Sequence, residues 1–67
     1  MKWKYYKGYR YCSFYQKIFC NTKIIIQCKL PVNHWVEISE LEGIGNLSEK
    51  EIDFMATNKI EEIEAYE

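Results

Sequence analysis

Apolar and polar residues alternate along most of the N-terminal half of the chain. Thr22, Ile24, Ile26, Cys28 and Leu30 share one parity, and Lys23, Ile25, Gln27 and Lys29 the other. Residues 9–20 alternate as well, with Tyr9, Tyr11, Ser13, Tyr15, Lys17 and Phe19 against Arg10, Cys12, Phe14, Gln16, Ile18 and Cys20. A period of two is the mark of a strand, whose successive side chains leave opposite faces of the pleat. Asn21 suits a tight turn between the two runs, so they are expected to form an antiparallel hairpin. Pro31-Val32-Asn33 interrupts the pattern. His34 to Ile38 then reads as a third strand, and Trp3 to Tyr6 as a fourth, with Gly8 marking a turn or bulge.

The period changes after a loop expected at Glu42-Gly43-Ile44-Gly45-Asn46. Ser48 followed by Glu51 is a capping box, and Leu47 and Ile52 stand at hydrophobic-staple positions. Ile52, Met55, Ala56, Ile60, Ile63 and Tyr66 fall on one arc at helical spacing. Lys59 interrupts that arc and Phe54 lies opposite it, so Thr57-Asn58 is expected to end one helix and begin a second short element. The fold class is α+β: an antiparallel sheet of three or four strands packed by a C-terminal acidic amphipathic helix. Residues 1–67 read as one small domain, with a basic aromatic β half at 1–39 and an acidic helical half at 40–67.

Charge sharpens this division. Residues 1–30 hold seven bases and no acid, whereas residues 31–67 hold all ten acids and only Lys50 and Lys59. The two parts carry about +7 and −8, which predicts two oppositely charged surfaces that face each other or face different partners. Eleven aromatic residues are present, nine of them within the first 35 positions. A chain of 67 residues buries only about 60% of its unfolded surface, so a partner or a second copy is a natural source of added stability.

With the even positions of both hairpin strands on one face, Cys12, Cys20 and Cys28 lie beside Phe14, Ile18, Ile24, Ile26 and Leu30. The aliphatic helix arc matches that face. Tyr9, Tyr11, Tyr15 and Phe19, mixed with Lys17 and Lys23, are then left open; in the reverse arrangement the helix covers the aromatic face and its acids pair with lysines of the same molecule. Four aromatic side chains amount to roughly 600–1,000 Å² of mainly apolar surface, more than a soluble monomer usually leaves bare. These six residues are the expected partner-binding set, with the rings as anchors and the lysines supplying charge complementarity.

Three cysteines at eight-residue intervals, with His34 following, form a chemically permissible zinc set. The close cysteine pairs that build a zinc knuckle are missing, and no metal or other cofactor is expected. The odd cysteine count and the lack of an apolar run behind the first basic residues read as reduced thiols in a cytoplasmic protein. Ile24-Ile25-Ile26 is the longest purely aliphatic run, so no membrane span is expected. One histidine, no phosphate-cradling glycine loop and no nucleophile–base–acid set point away from an enzyme.

Lys7-Gly8-Tyr9-Arg10-Tyr11-Cys12-Ser13-Phe14 resembles the RNP1 motif of RNA-recognition motifs and cold-shock domains. Arg10 stands where those families carry a small residue. The resemblance implies single-stranded nucleic-acid binding, with Tyr9 and Tyr11 stacking on bases and lysines meeting phosphates. A further alternative takes Glu49, Asp53, Glu61, Glu64 and Glu67 as an acidic surface that imitates nucleic-acid phosphates and blocks a nucleic-acid-binding enzyme. A homodimer formed through aromatic faces or a strand edge is another. The leading expectation is a small non-enzymatic protein that regulates or inhibits a larger protein or complex through an aromatic and basic sheet face.

Overall fold

A computed structural model of the chain describes residues 2–66. Four strands, β1 (Lys4–Tyr6), β2 (Tyr9–Gln16), β3 (Asn21–Leu30) and β4 (His34–Ile44), form one antiparallel sheet in the order β1-β2-β3-β4. A single helix, α1 (Glu49–Ala65), follows and lies across one face of β2 and β3. The α+β architecture expected from the hydrophobic pattern is thus present, with four strands.

Each connection has its own chemistry. Lys7 and Gly8 join β1 to β2 with φ of +49° and +83°. Both central residues of a type I′ hairpin turn need positive φ, because only that twist matches the flanking strands. Pro31, Val32 and Asn33 join β3 to β4, with Asn33 at φ +60° and its N–H donating to the Leu30 carbonyl at 3.1 Å. Proline presets the backbone at the start of this turn, and asparagine tolerates the left-handed position that closes it.

The β2–β3 connection departs from expectation. Strand β2 stops at Gln16, and Lys17-Ile18-Phe19-Cys20 form a four-residue loop; Asn21 is already paired with Gln16. The register then couples Tyr9 with Cys28, Tyr11 with Ile26, Ser13 with Ile24 and Tyr15 with Thr22. Odd positions of β2 share a face with even positions of β3. A shift of one residue moves every side chain of a strand to the other face, so the grouping of both even sets is overturned. Cys12 sits on one face, Cys28 on the other, and Cys20 in the loop.

The covered face carries the core. Ile24, Ile26, Ala56 and Ile60 are fully buried, with Tyr9 and Tyr11 nearly so. Leu41, Ile52, Met55 and Ile63 pack around them. Burying an isoleucine side chain contributes about 1.5–3 kcal/mol, so the three isoleucines at the centre dominate the apolar stabilisation. The helix arc read from the sequence is the one that faces the sheet, except that Tyr66 is exposed.

The helix is continuous through Thr57-Asn58. The Thr57 hydroxyl donates to the Asp53 carbonyl at 2.7 Å, which satisfies it within the helix instead of diverting the backbone. Lys59, half-buried, reaches Glu62 at 3.4 Å. Ser48 caps the helix by accepting the Glu51 N–H at 3.2 Å, as the capping box predicts.

Strand β4 is longer than the expected His34–Ile38 segment and takes in Glu42-Gly43-Ile44. Gly43 stays extended while the Leu47 side chain occupies the space a Cβ would need, so the glycine serves packing and not a loop. The sheet therefore runs past the expected boundary at residue 39. An irregularity between Ile26 and Gln27 leaves Ile38 without a direct partner, since Ile26 pairs with Ser39 and Gln27 with Glu37. A bulge on an edge strand hinders edge-to-edge pairing with another sheet.

Thr22 ties the β4–α1 connection down. Its buried hydroxyl donates to the Gly45 carbonyl at 2.7 Å and accepts the Leu47 N–H at 3.0 Å. Replacing it by the isosteric Val leaves both backbone groups without this partner. Thr22→Val is therefore expected to cost about 1–3 kcal/mol, read as a lowered urea midpoint with an unchanged slope. A midpoint equal to wild type would show that these bonds do not hold the connection.

Candidate interaction surface

The sheet face turned away from α1 carries Tyr5 from β1, Arg10, Cys12 and Phe14 from β2, Lys23, Ile25, Gln27 and Lys29 from β3, and Trp35, Glu37, Glu40 and Glu42 from β4. This follows from the paired positions Tyr5–Arg10, Arg10–Gln27, Cys12–Ile25 and Phe14–Lys23, and Gln27–Glu37, Lys29–Trp35, Ile25–Glu40 and Lys23–Glu42. Trp3, just before β1, joins them. No element among the described residues covers this face.

Its centre is an aromatic sandwich. The Arg10 guanidinium carbon lies 4.1 Å from the Trp3 ring centroid and 4.4 Å from that of Trp35. Arg10 Nε donates to Gln27 Oε1 at 2.8 Å. Tyr5 meets Trp35 edge-on, with centroids 6.1 Å apart and planes at 62°. A planar guanidinium stacks well on aromatic faces, and each such contact is worth about 0.5–2 kcal/mol. The arrangement immobilises three large side chains in advance of any binding. Phe14, 38% exposed, and Ile44, 95% exposed, extend the apolar character toward the β2–β3 loop. On the β4 side Lys23 pairs with Glu40 at 2.7 Å and with Glu42 at 3.4 Å.

The expected partner-binding residues separate into three groups. Tyr9 and Tyr11 lie beneath α1, 9% and 5% exposed, and belong to the chain's own core. The register shift described above put them there. Tyr15, Lys17 and Phe19 stand at the far end of the β2–β3 hairpin, where Phe19 and Ile18 are exposed. Lys23 is on the open face, engaged with Glu40 and Glu42. The RNP1-like resemblance places its stacking rings at Tyr9 and Tyr11, and neither ring is accessible to a base.

The acidic set is committed internally. Lys4 pairs with Glu49 at 2.6 Å and Asp53 at 2.9 Å, and Lys7 pairs with Glu61. The Tyr11 hydroxyl donates to Asp53 at 2.8 Å, that of Tyr6 to Glu61 at 2.8 Å, and that of Tyr9 to Glu64 at 3.2 Å. Four of the carboxylates proposed as phosphate imitators thus answer bases and phenols of the same molecule. Glu67 lies outside the described residues. The two charge-sorted halves face each other along this seam.

Three residues that dominate the open face, Trp3, Arg10 and Trp35, were not in the expected set. The four-residue connection at 17–20 puts Arg10, not Tyr9 or Tyr11, on the uncovered side, and the composition of that segment gives no signal of its length.

Burial pushes the Cys12 thiol up, away from the thiolate a nucleophile needs. Among the described residues no group of His, Cys, Asp and Glu is placed to hold a metal ion, and no helix is long and apolar enough to cross a membrane. A cleft of about 340 Å³ beside β1, lined by Lys2, Trp3, Lys4, Tyr11, Cys12, Ser13, Glu49 and Ile52, holds Lys2 beside the paired Lys4 and Glu49 as its charged groups. Compared with protein-family models, with curated proteins and with solved structures, the chain has no match in any of the three.

The seam makes stability depend on pH at both ends. The Lys4 ammonium holds the Asp53 carboxyl below its ordinary value, and Lys7 does the same for Glu61. Carboxylates depressed by folding stabilise above their unfolded values and lose that contribution as pH falls through the folded ones. Burial, then the bond to Asp53, pushes the Tyr11 phenol up to about 12; Lys4 is raised by Glu49 and Asp53. Groups raised by folding stabilise below their unfolded values and lose that contribution as pH climbs. Stability should be flat between about pH 5 and pH 9 and fall on both sides, measured by urea unfolding across pH. Asp53→Asn should flatten the acid limb. An acid limb identical to wild type would refute the pairing.

Proposed function

We propose that this chain is a small non-enzymatic binding protein that regulates or inhibits a larger protein through the open face of its sheet. One observation carries the reading. A single helix covers one side of the four-stranded sheet, and the other side presents Trp3, Tyr5, Arg10, Phe14 and Trp35 together. Tryptophan, tyrosine and arginine are the residues that most often dominate binding energy. Rings already held in place by stacking lose little freedom on association, which favours affinity for a given area.

Single-stranded nucleic acid is the weaker reading of the same face. Glu37, Glu40 and Glu42 line its β4 side and repel a phosphate backbone, and the inner faces of both indoles are already occupied by Arg10. A soluble, cytoplasmic setting fits a protein of this kind, and a homodimer through the same face competes with a different partner for it.

The test is affinity purification from the native host with the wild-type chain and with Trp35→Ala and Phe14→Asp. Both substitutions lie on the open face and should shift stability by no more than about 1–2 kcal/mol. A partner retained by wild type and lost by both variants is the expected result. Equal recovery of the same partner by all three chains would remove the open face from the account.

A further inference from the structure

The open face holds a cation whose charge nothing on the described chain answers. Lys4, Lys7, Lys23 and Lys59 each have a carboxylate partner. Arg10 has none among the described residues; its contacts are the two indoles and the Gln27 side-chain oxygen. Those contacts use the two faces of the guanidinium and its Nε. The remaining Nη1–Nη2 edge is the one that meets a carboxylate end-on through two parallel hydrogen bonds. Lys29, exposed and also without a carboxylate partner among the described residues, sits on the same face, one strand away and beside Trp35.

The stack matters for specificity. A free arginine must give up rotamer freedom to form a forked pair, whereas this one is clamped before binding. The two indoles leave Arg10 half-buried, and partial removal from water strengthens a charge interaction. Across the face, Glu37, Glu40 and Glu42 form an acidic margin on β4, so an incoming acid is steered toward the β1–β2 side, where Arg10 stands.

We propose that Arg10 is a carboxylate-receiving anchor, and that the open face takes an acidic segment of a partner protein, one Asp or Glu of which pairs with the guanidinium between Trp3 and Trp35. The inference rests on the proposed reading of this face as the interaction surface and adds the chemistry of the partner. The occupant is a protein segment in preference to a nucleic acid because a single carboxylate meets Arg10 alone, whereas a polyanionic backbone laid across the sheet brings further phosphates against Glu37, Glu40 and Glu42.

Random dodecapeptides displayed on phage and selected against the full chain supply the probe. Enriched peptides are then synthesised and titrated by tryptophan fluorescence. They are expected to carry Asp or Glu. Converting that one acid to its amide should weaken binding about tenfold or more, and Arg10→Lys should do the same, since a charge-assisted bidentate pair is lost in each case. The two changes together should weaken binding little more than either alone, because they remove one shared interaction. The peptide-side change leaves the protein untouched, so it decides the matter even where the Arg10 variant unfolds.

Enriched peptides without an acid, whose binding is lost with Phe14→Asp, would overturn the carboxylate anchor and leave the open face as the interaction surface. Peptides indifferent to Phe14→Asp, or no enrichment, would overturn both. An Arg10-dependent affinity for an oligothymidylate exceeding that for the selected peptides would overturn the acidic protein segment in favour of nucleic acid.

Discussion

The pairing register of β2 with β3 is the constraint on which the rest of the molecule depends. Because the loop at 17–20 holds four residues, Tyr11 stands opposite Ile26 and Cys12 opposite Ile25. That one offset assembles Tyr9, Tyr11, Ile24 and Ile26 into a layer that α1 can cover. It also sends Arg10, Phe14, Ile25 and Gln27 to the side that α1 cannot reach. A register shifted by one residue would bury Ile25 with the tyrosines and strand Ile24 and Ile26 in water, at a cost of several kcal/mol from apolar area alone. The hydrophobic difference between the two faces of β3 is therefore what holds the hairpin in register.

Charge completes what burial begins. The bases of β1 and its turn meet the acids of α1, so the charge segregation along the chain becomes a seam in the fold. Each ion pair is partly exposed and individually worth little. The three phenol–carboxylate bonds, from Tyr6, Tyr9 and Tyr11, contribute in another way. Each ring is packed at one end and hydrogen-bonded at the other, which fixes where along the sheet the helix rests. Tyrosine suits this position because it offers an apolar body and a polar tip. The seam answers Lys4 and Lys7 and β4 answers Lys23, leaving Arg10 and Lys29 as the cations of the open face without carboxylate partners among the described residues.

Most of the fold was legible in the sequence. Period-two alternation located the strands, Gly8 and Pro31-Val32-Asn33 located two of the turns, and Ser48 with Glu51 located the helix start. What was not legible was the third turn. Residues 9–20 alternate without a break, and nothing in Lys17-Ile18-Phe19-Cys20 has the composition of a loop, so the strand looked four residues too long. The alternation specifies two faces for each strand but is silent on which faces join. That silence is why the expected surface contained Tyr9 and Tyr11 and omitted Trp3, Arg10 and Trp35. Gly43 misled for a related reason: glycine in a strand can serve a neighbour's packing, here Leu47, as well as a turn.

The functional account follows from the same geometry. One helix is too little to cover both sides of a four-stranded sheet, and the uncovered side carries rings and a clamped cation beside the polar residues of β3 and β4. The claim beneath all of this is that Tyr11 and Arg10, adjacent in sequence, face opposite ways because of how β2 meets β3. Nuclear Overhauser contacts of the Tyr11 ring test it most directly. The account predicts cross-peaks from that ring to the methyl groups of Ile26, its partner across the sheet, and of Ile52, beside it under the helix, and none to Ile25. Cross-peaks to Ile25, with Arg10 close to Ile26 or Ile60, would contradict it.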